Sequence, residues 1–156
     1  MTISHYDIII NAMRLWHQSL IPYLDNKRLL GQHRECCALR GKGWGKKHSV
    51  VDYVFTYDRA HLYQYHLLII REMVARKYNV SPEWYGRLYR GTKLPQDTLE
   101  NAGTFTLINN DEIVYKEHND QYLLECLRNL QSKCVKLING NSIEHMLVQL
   151  SLKGIS

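Results

Sequence analysis

DRAHLYQYHLLIIREMVARKY, residues Asp58–Tyr78, carries the clearest helical period in the chain. Leu62, Tyr65, Ile69 and Met73 recur every three or four residues, which places them on one face of an α-helix. Asp58 stands where an N-cap receives the first free amide hydrogens, and Val80-Ser81-Pro82 ends the pattern because a residue before proline avoids the helical region. A helix with one apolar face needs partners, and the flanking sequence offers them.

Upstream, Asp25 to Leu39 suits a second helix, capped by Asp25 or Asn26 and burying Leu29, Leu30, Cys36, Cys37 and Leu39. Between the two helices, Gly41-Lys42-Gly43-Trp44-Gly45-Lys46-Lys47 has too much glycine for regular structure and predicts a loop. Downstream, residues 82–115 are broken by Pro82, Pro95, Gly86, Gly91 and Gly103, which predicts long loops with short helical turns. Two more helices are predicted, one from Asn119 or Asp120 to Lys133, the other from Asn141 or Ser142 with Glu144 completing a capping box. With no βαβ alternation and no repeat, the reading is a mostly α fold: residues 1–12 form an N-terminal extension and 13–156 a single compact helical domain with long loops.

The chain has 156 residues, 45% of them hydrophobic and 22% charged, enough apolar material for one core. No apolar run approaches the roughly 18 residues of a membrane span, and residues 1–12 lack the basic start of a secretory signal. Four cysteines without a disulfide spacing favour a reducing compartment, so a cytoplasmic monomer is expected. The net charge of +5 is unevenly spread: Lys27 to His48 holds seven basic residues and one acid, whereas Leu94 to Glu125 holds seven acids and one lysine. Such asymmetry predicts a basic face that attracts phosphates.

The single acid in the basic stretch is Glu35. Its neighbours at three and four residues, Gly31, Gln32, Ala38 and Leu39, carry no charge, so a surface ion pair along the helix is excluded. Surrounded by cations it is expected to stay ionised at neutral pH and to stabilise positive charge on a phosphate-bound substrate; the competing reading is a tertiary salt bridge. The glycine loop departs from the G-x-x-x-x-G-K-[ST] pattern, which gives no support to ATP binding. Its Lys42, Lys46, Lys47, His48 and Trp44 suit nucleic acid, unless Trp44 is tucked into the core. His33, Cys36 and Cys37 are close in sequence but form no C-x-x-C pair, and no metal site is expected.

From Met13 onward the text MRLWHQSLIP, then RECCALRG at Arg34–Gly41, Phe55-Thr-Tyr-Asp-Arg and the helix to Tyr78 resemble the pyrimidine-dimer DNA glycosylase/AP lyase family typified by phage endonuclease V, most closely a bacterial branch. Aligned without gaps from Met13, Arg34-Glu35 falls on the family's Arg-Glu pair, whose glutamate is the catalytic carboxylate. The resemblance implies a DNA-repair enzyme for damaged duplex DNA, in which a neutral N-terminal amine attacks C1′, a Schiff base forms and β-elimination nicks the strand. It implies that no metal or organic cofactor is needed and assigns Arg34, Glu35 and Met13 to catalysis; together with the basic-loop reading, Arg14, Arg28, Arg40, Lys42, Trp44, Lys46, Lys47 and His48 are expected on DNA. The chain departs from the family where Arg14 replaces the small amine-bearing residue, Leu15 and Ala38 replace arginines, and Arg28 replaces a histidine. The amine is then expected from Met13, if the chain starts there, or from Lys46. A non-catalytic nucleic-acid-binding protein of the same fold, or a protein-interaction module, are the competing readings.

Overall fold

The computed structural model describes residues 14–45, 52–104, 106, 109 and 111–156. Met13, Lys46, Lys47 and His48 lie outside the described residues. The principal elements are α1 (Asn26–Arg40), α2 (Arg59–Ala75), the short α3 (Leu99–Ala102), α4 (Asp120–Ser132) and α5 (Ile143–Leu152). Short 3-10 helices lie before α1 at Gln18–Tyr23, between α1 and α2 at Asp52–Thr56, and between α2 and α3 at Pro82–Tyr85, and the described residues contain no strand. The fold is mostly α, as the periodicities predict. No helix among them is long and apolar enough to cross a membrane.

α2 is the central element. Beyond the predicted face of Leu62, Tyr65, Ile69 and Met73, it also buries Ala60, Tyr63, Gln64, His66, Leu67 and Ile70. A helix buried almost all round must be covered on several sides, here by α1, by the turn at Gln18–Tyr23 and by the 82–90 segment. It stops at Ala75, three residues earlier than predicted, because Lys77 turns into the left-handed region (φ 71°) and Tyr78 N–H closes back on Met73 O at 3.0 Å. Arg76 then ties this end to the first turn, its guanidinium donating to Leu24 O at 2.7 Å and Pro22 O at 3.2 Å.

α4 and α5 begin where their caps predict. Asn119 accepts from Tyr122 N–H at 2.9 Å, and Ser142 accepts from His145 N–H at 3.0 Å. With Ser142 as the cap, the third helical position is His145 and not Glu144, so the expected capping box does not form. Asp25 and Asp58 precede α1 and α2 as N-caps without side-chain capping bonds; Arg28 and His61 hold their carboxylates instead, at 3.2 and 2.9 Å.

Gly103 is required by close approach. It has φ +81°, and a Cβ there would lie 2.5 Å from Asp58 Cβ. Gly103→Ala is therefore expected to destabilise the protein by about 1–3 kcal/mol, read as a shift in the urea midpoint without a change of slope.

Candidate active site

The centre of the site is a glutamine that the sequence reading passed over. Gln32 and Glu35, three residues apart on α1, share a face, and Gln32 Nε2 donates to Glu35 Oε2 at 2.9 Å and to Arg14 O at 2.7 Å. Gln32 Oε1 accepts from Trp16 N–H at 2.7 Å. The buried Tyr65 hydroxyl lies 2.7 Å from Trp16 O and 2.9 Å from Gln32 Oε1, so α2 braces the same clamp from beneath. Residues 14–16 form no helix or strand; these side chains fix their path across α1. The Arg14 backbone N–H in turn hydrogen-bonds to the Glu35 carboxylate.

α4 closes the other side with a helical stripe. Tyr122 donates to Leu15 O at 2.6 Å, Cys126 hydrogen-bonds with the Arg14 side chain, and Lys133, at the C-cap, reaches Glu35 electrostatically. Spacings of four and seven residues put the three on one face.

Glu35 does not have the protonation state that its sequence neighbourhood predicts. Burial raises its pKa from 4.5 to about 7, outweighing the Arg14 hydrogen bond and the charges of Arg34, Lys133 and Arg14, which all act the other way. Sequence counts the cations; only the fold shows how much water has been removed. A carboxyl poised near neutrality can both hold a cation and exchange a proton.

The remaining predicted site residues separate into two groups. Arg34 is exposed beside Glu35, Arg14 is half-buried over the Trp16 ring (5.6 Å), and Arg28 lies two turns before Glu35 on the same helix face, beside Asp25. Lys42 is exposed at the other end of α1. Arg40, by contrast, is buried: its guanidinium donates to the carbonyls of Trp84, Gly86 and Tyr89 at 2.7–3.2 Å and to His66 Nδ1 at 3.0 Å. It supports the 84–89 segment, and its donors are taken by these partners rather than left for direct contact with a DNA phosphate. Trp44 is packed edge-on against Phe55 at 5.2 Å with the Arg59 guanidinium over its ring, which is the core reading rather than the stacking one.

Tertiary contact also assembles a histidine pair that no spacing reveals. His66 of α2 joins His33 and Cys37 of α1, with their donor atoms within 4.8 Å of one another. Because Arg40 donates to His66 Nδ1, the proton of neutral His66 resides on Nε2, which donates to His33 Nδ1 at 2.8 Å. Burial keeps His66 neutral and holds His33 below its ordinary range. So arranged, the trio is a hydrogen-bonded relay; a cation would need the Nε2 lone pair that this proton occupies.

The Arg34-Glu35 pair, the ordered 14–16 path and the α1–α2 pairing all fall within residues 13–86, and a family model described as pyrimidine dimer DNA glycosylase matches residues 13–86. This segment belongs to that family. No curated protein and no solved structure matches the chain. The segment similar to the glycosylases carries Gln32, Glu35, Arg14 and Tyr65. Tyr122, Cys126 and Lys133 lie beyond the matched glycosylase segment, yet they complete the same site.

Proposed function

We propose that the protein is a DNA glycosylase with AP lyase activity, acting on damaged duplex DNA through an amine Schiff base. The observation that supports this most is the Gln32 clamp, which sets the Arg14 nitrogen against a glutamate whose pKa is near 7. In the chemistry proposed, a neutral amine bonds to C1′ as the base departs with the electrons of its bond to C1′; the amine then gives a proton to O4′ as the C1′–O4′ bond breaks, which opens the sugar ring. Glu35 as carboxylate stabilises the resulting iminium, then takes a proton from C2′ as the C3′–O bond breaks. Arg14, Arg34 and Arg28 are proposed to contact the flanking phosphates.

The amine is the open element. Arg14 N is a peptide nitrogen in the 156-residue chain, so a free amine at that place needs a chain that begins at or next to it. Lys133 adds a side-chain amine whose charge acts on the same carboxylate. Borohydride trapping on abasic duplex, with peptide mass mapping, tests the reading for the full chain and for a chain beginning at Met13. A cross-link on Met13, Lys46 or Lys133 is the expected result and names the amine. No cross-link in either chain overturns the lyase reading in favour of a non-catalytic DNA-binding protein.

A further inference from the structure

On the opposite side of α1 from Glu35, a cleft of about 530 Å³ opens between the helix C-terminus and the 81–94 segment. Cys37 lines it, two residues and hence about 200° round the helix from Glu35. Its volume falls in the range that holds a small organic ligand. The lining brings together Lys42, Arg90 and Lys93 against the single acid Glu83, and adds the aromatic side chains of Trp84 and Tyr89. Among the described residues, Lys42 and Lys93 form no ion pair.

Two further features give the cleft a positive field. The C-terminal carbonyls of a helix ordinarily repel an anion, but here Arg90 covers them, donating to Arg40 O and Gly41 O at 3.1 Å each. Behind the cleft wall, the buried Arg40 guanidinium lies 4.9 Å from the Trp84 ring centre, and its hydrogen-bond partners are all uncharged: three carbonyls and neutral His66. A buried cation without a carboxylate favours an anion nearby. Cys37 is no nucleophile here, since burial pushes its thiol up to about 12.

We infer that this cleft is a second nucleotide-binding site, independent of the Glu35 centre, in which a planar base lies against Trp84 and its phosphate among Lys42, Arg90 and Lys93. The phosphate accounts for the excess of cations and the base for the aromatic wall. The ligand is either a free mononucleotide or a nucleotide unit of a strand, which share this chemistry.

Calorimetric titration of the full chain at low salt tests the assignment, with adenosine monophosphate, adenosine and a single-stranded oligoadenylate as probes. Adenosine monophosphate is expected to bind, and adenosine about tenfold or more weakly, for want of the charge-assisted contacts. Lys93→Glu, at an exposed position, is expected to weaken the nucleotide about tenfold while leaving borohydride trapping on abasic duplex unchanged; Trp84→Leu is expected to weaken it as well. Competition by the oligoadenylate identifies a strand as the source of the ligand, and lack of competition identifies a free nucleotide; both support the site. Absence of nucleotide binding, or binding that Lys93→Glu leaves unaltered, overturns it. So does binding that Glu35→Gln abolishes, which would place the nucleotide in the Glu35 centre. Failure of trapping with nucleotide binding intact would count against the lyase reading alone.

Discussion

Glu35→Gln is expected to lower strand nicking at abasic sites by about 10²–10⁴ and at the same time to stabilise the protein at alkaline pH. Both effects come from the same buried carboxyl. Its folded pKa of about 7 lies above the ordinary value of 4.5, so the folded state holds the proton more tightly than the unfolded chain. Stability contributed by the protonated form is complete below pH 4.5, declines by about 1.4 kcal/mol per unit between 4.5 and 7, and is lost above 7. Glutamine keeps the shape and can still accept from Gln32, but it never ionises. The variant should therefore match the parent near pH 4.5 and exceed it by about 3 kcal/mol at pH 8, as measured by urea unfolding at both values. For the unmutated protein, nicking should fall about tenfold per pH unit below 7, as the carboxylate is protonated. Equal stability at pH 8 together with unchanged nicking would remove Glu35 from the mechanism and return it to an ordinary surface acid.

Gln32→Leu should have the largest effect on stability. The substitution keeps the volume but leaves Trp16 N–H, Arg14 O and the Glu35 carboxyl without their shared partner in a buried place. Each unsatisfied buried group costs about 1–3 kcal/mol, so a total of about 3–5 kcal/mol is expected, or roughly 10 °C in Tm for a chain of this size. Tyr65→Phe is the comparison: it deletes one hydroxyl at Trp16 O and Gln32 while the clamp remains, and should cost about 1 kcal/mol. Melting curves that show no difference between the two variants would mean that residues 14–16 are held by something other than Gln32. The clamp also predicts that Gln32→Leu loses nicking at temperatures where it is fully folded, because the path of residues 14–16 past Glu35 is no longer fixed.

The sequence by itself determined the helices and the place of the carboxylate. Leu62, Tyr65, Ile69 and Met73 at helical spacing, with Asn119 and Ser142 as caps, are local signals; they act within a turn or two and need no distant partner. The Arg34-Glu35 pair was legible for the same reason, as adjacent residues within the segment that the glycosylase family covers. What only the tertiary structure decided were the quantities that depend on what lies across the gap. Burial, not the neighbouring cations, sets the protonation of Glu35. Arg40 resembles its basic neighbours in sequence, but three carbonyls from residues 84–89 take its donors. His66 comes from 33 positions away to stand beside His33, and Lys133, 98 positions away, acts electrostatically on Glu35. Periodicity and capping are properties of a helix and its ends, whereas desolvation and hydrogen-bond partnership belong to pairs of elements and arise only when those elements pack.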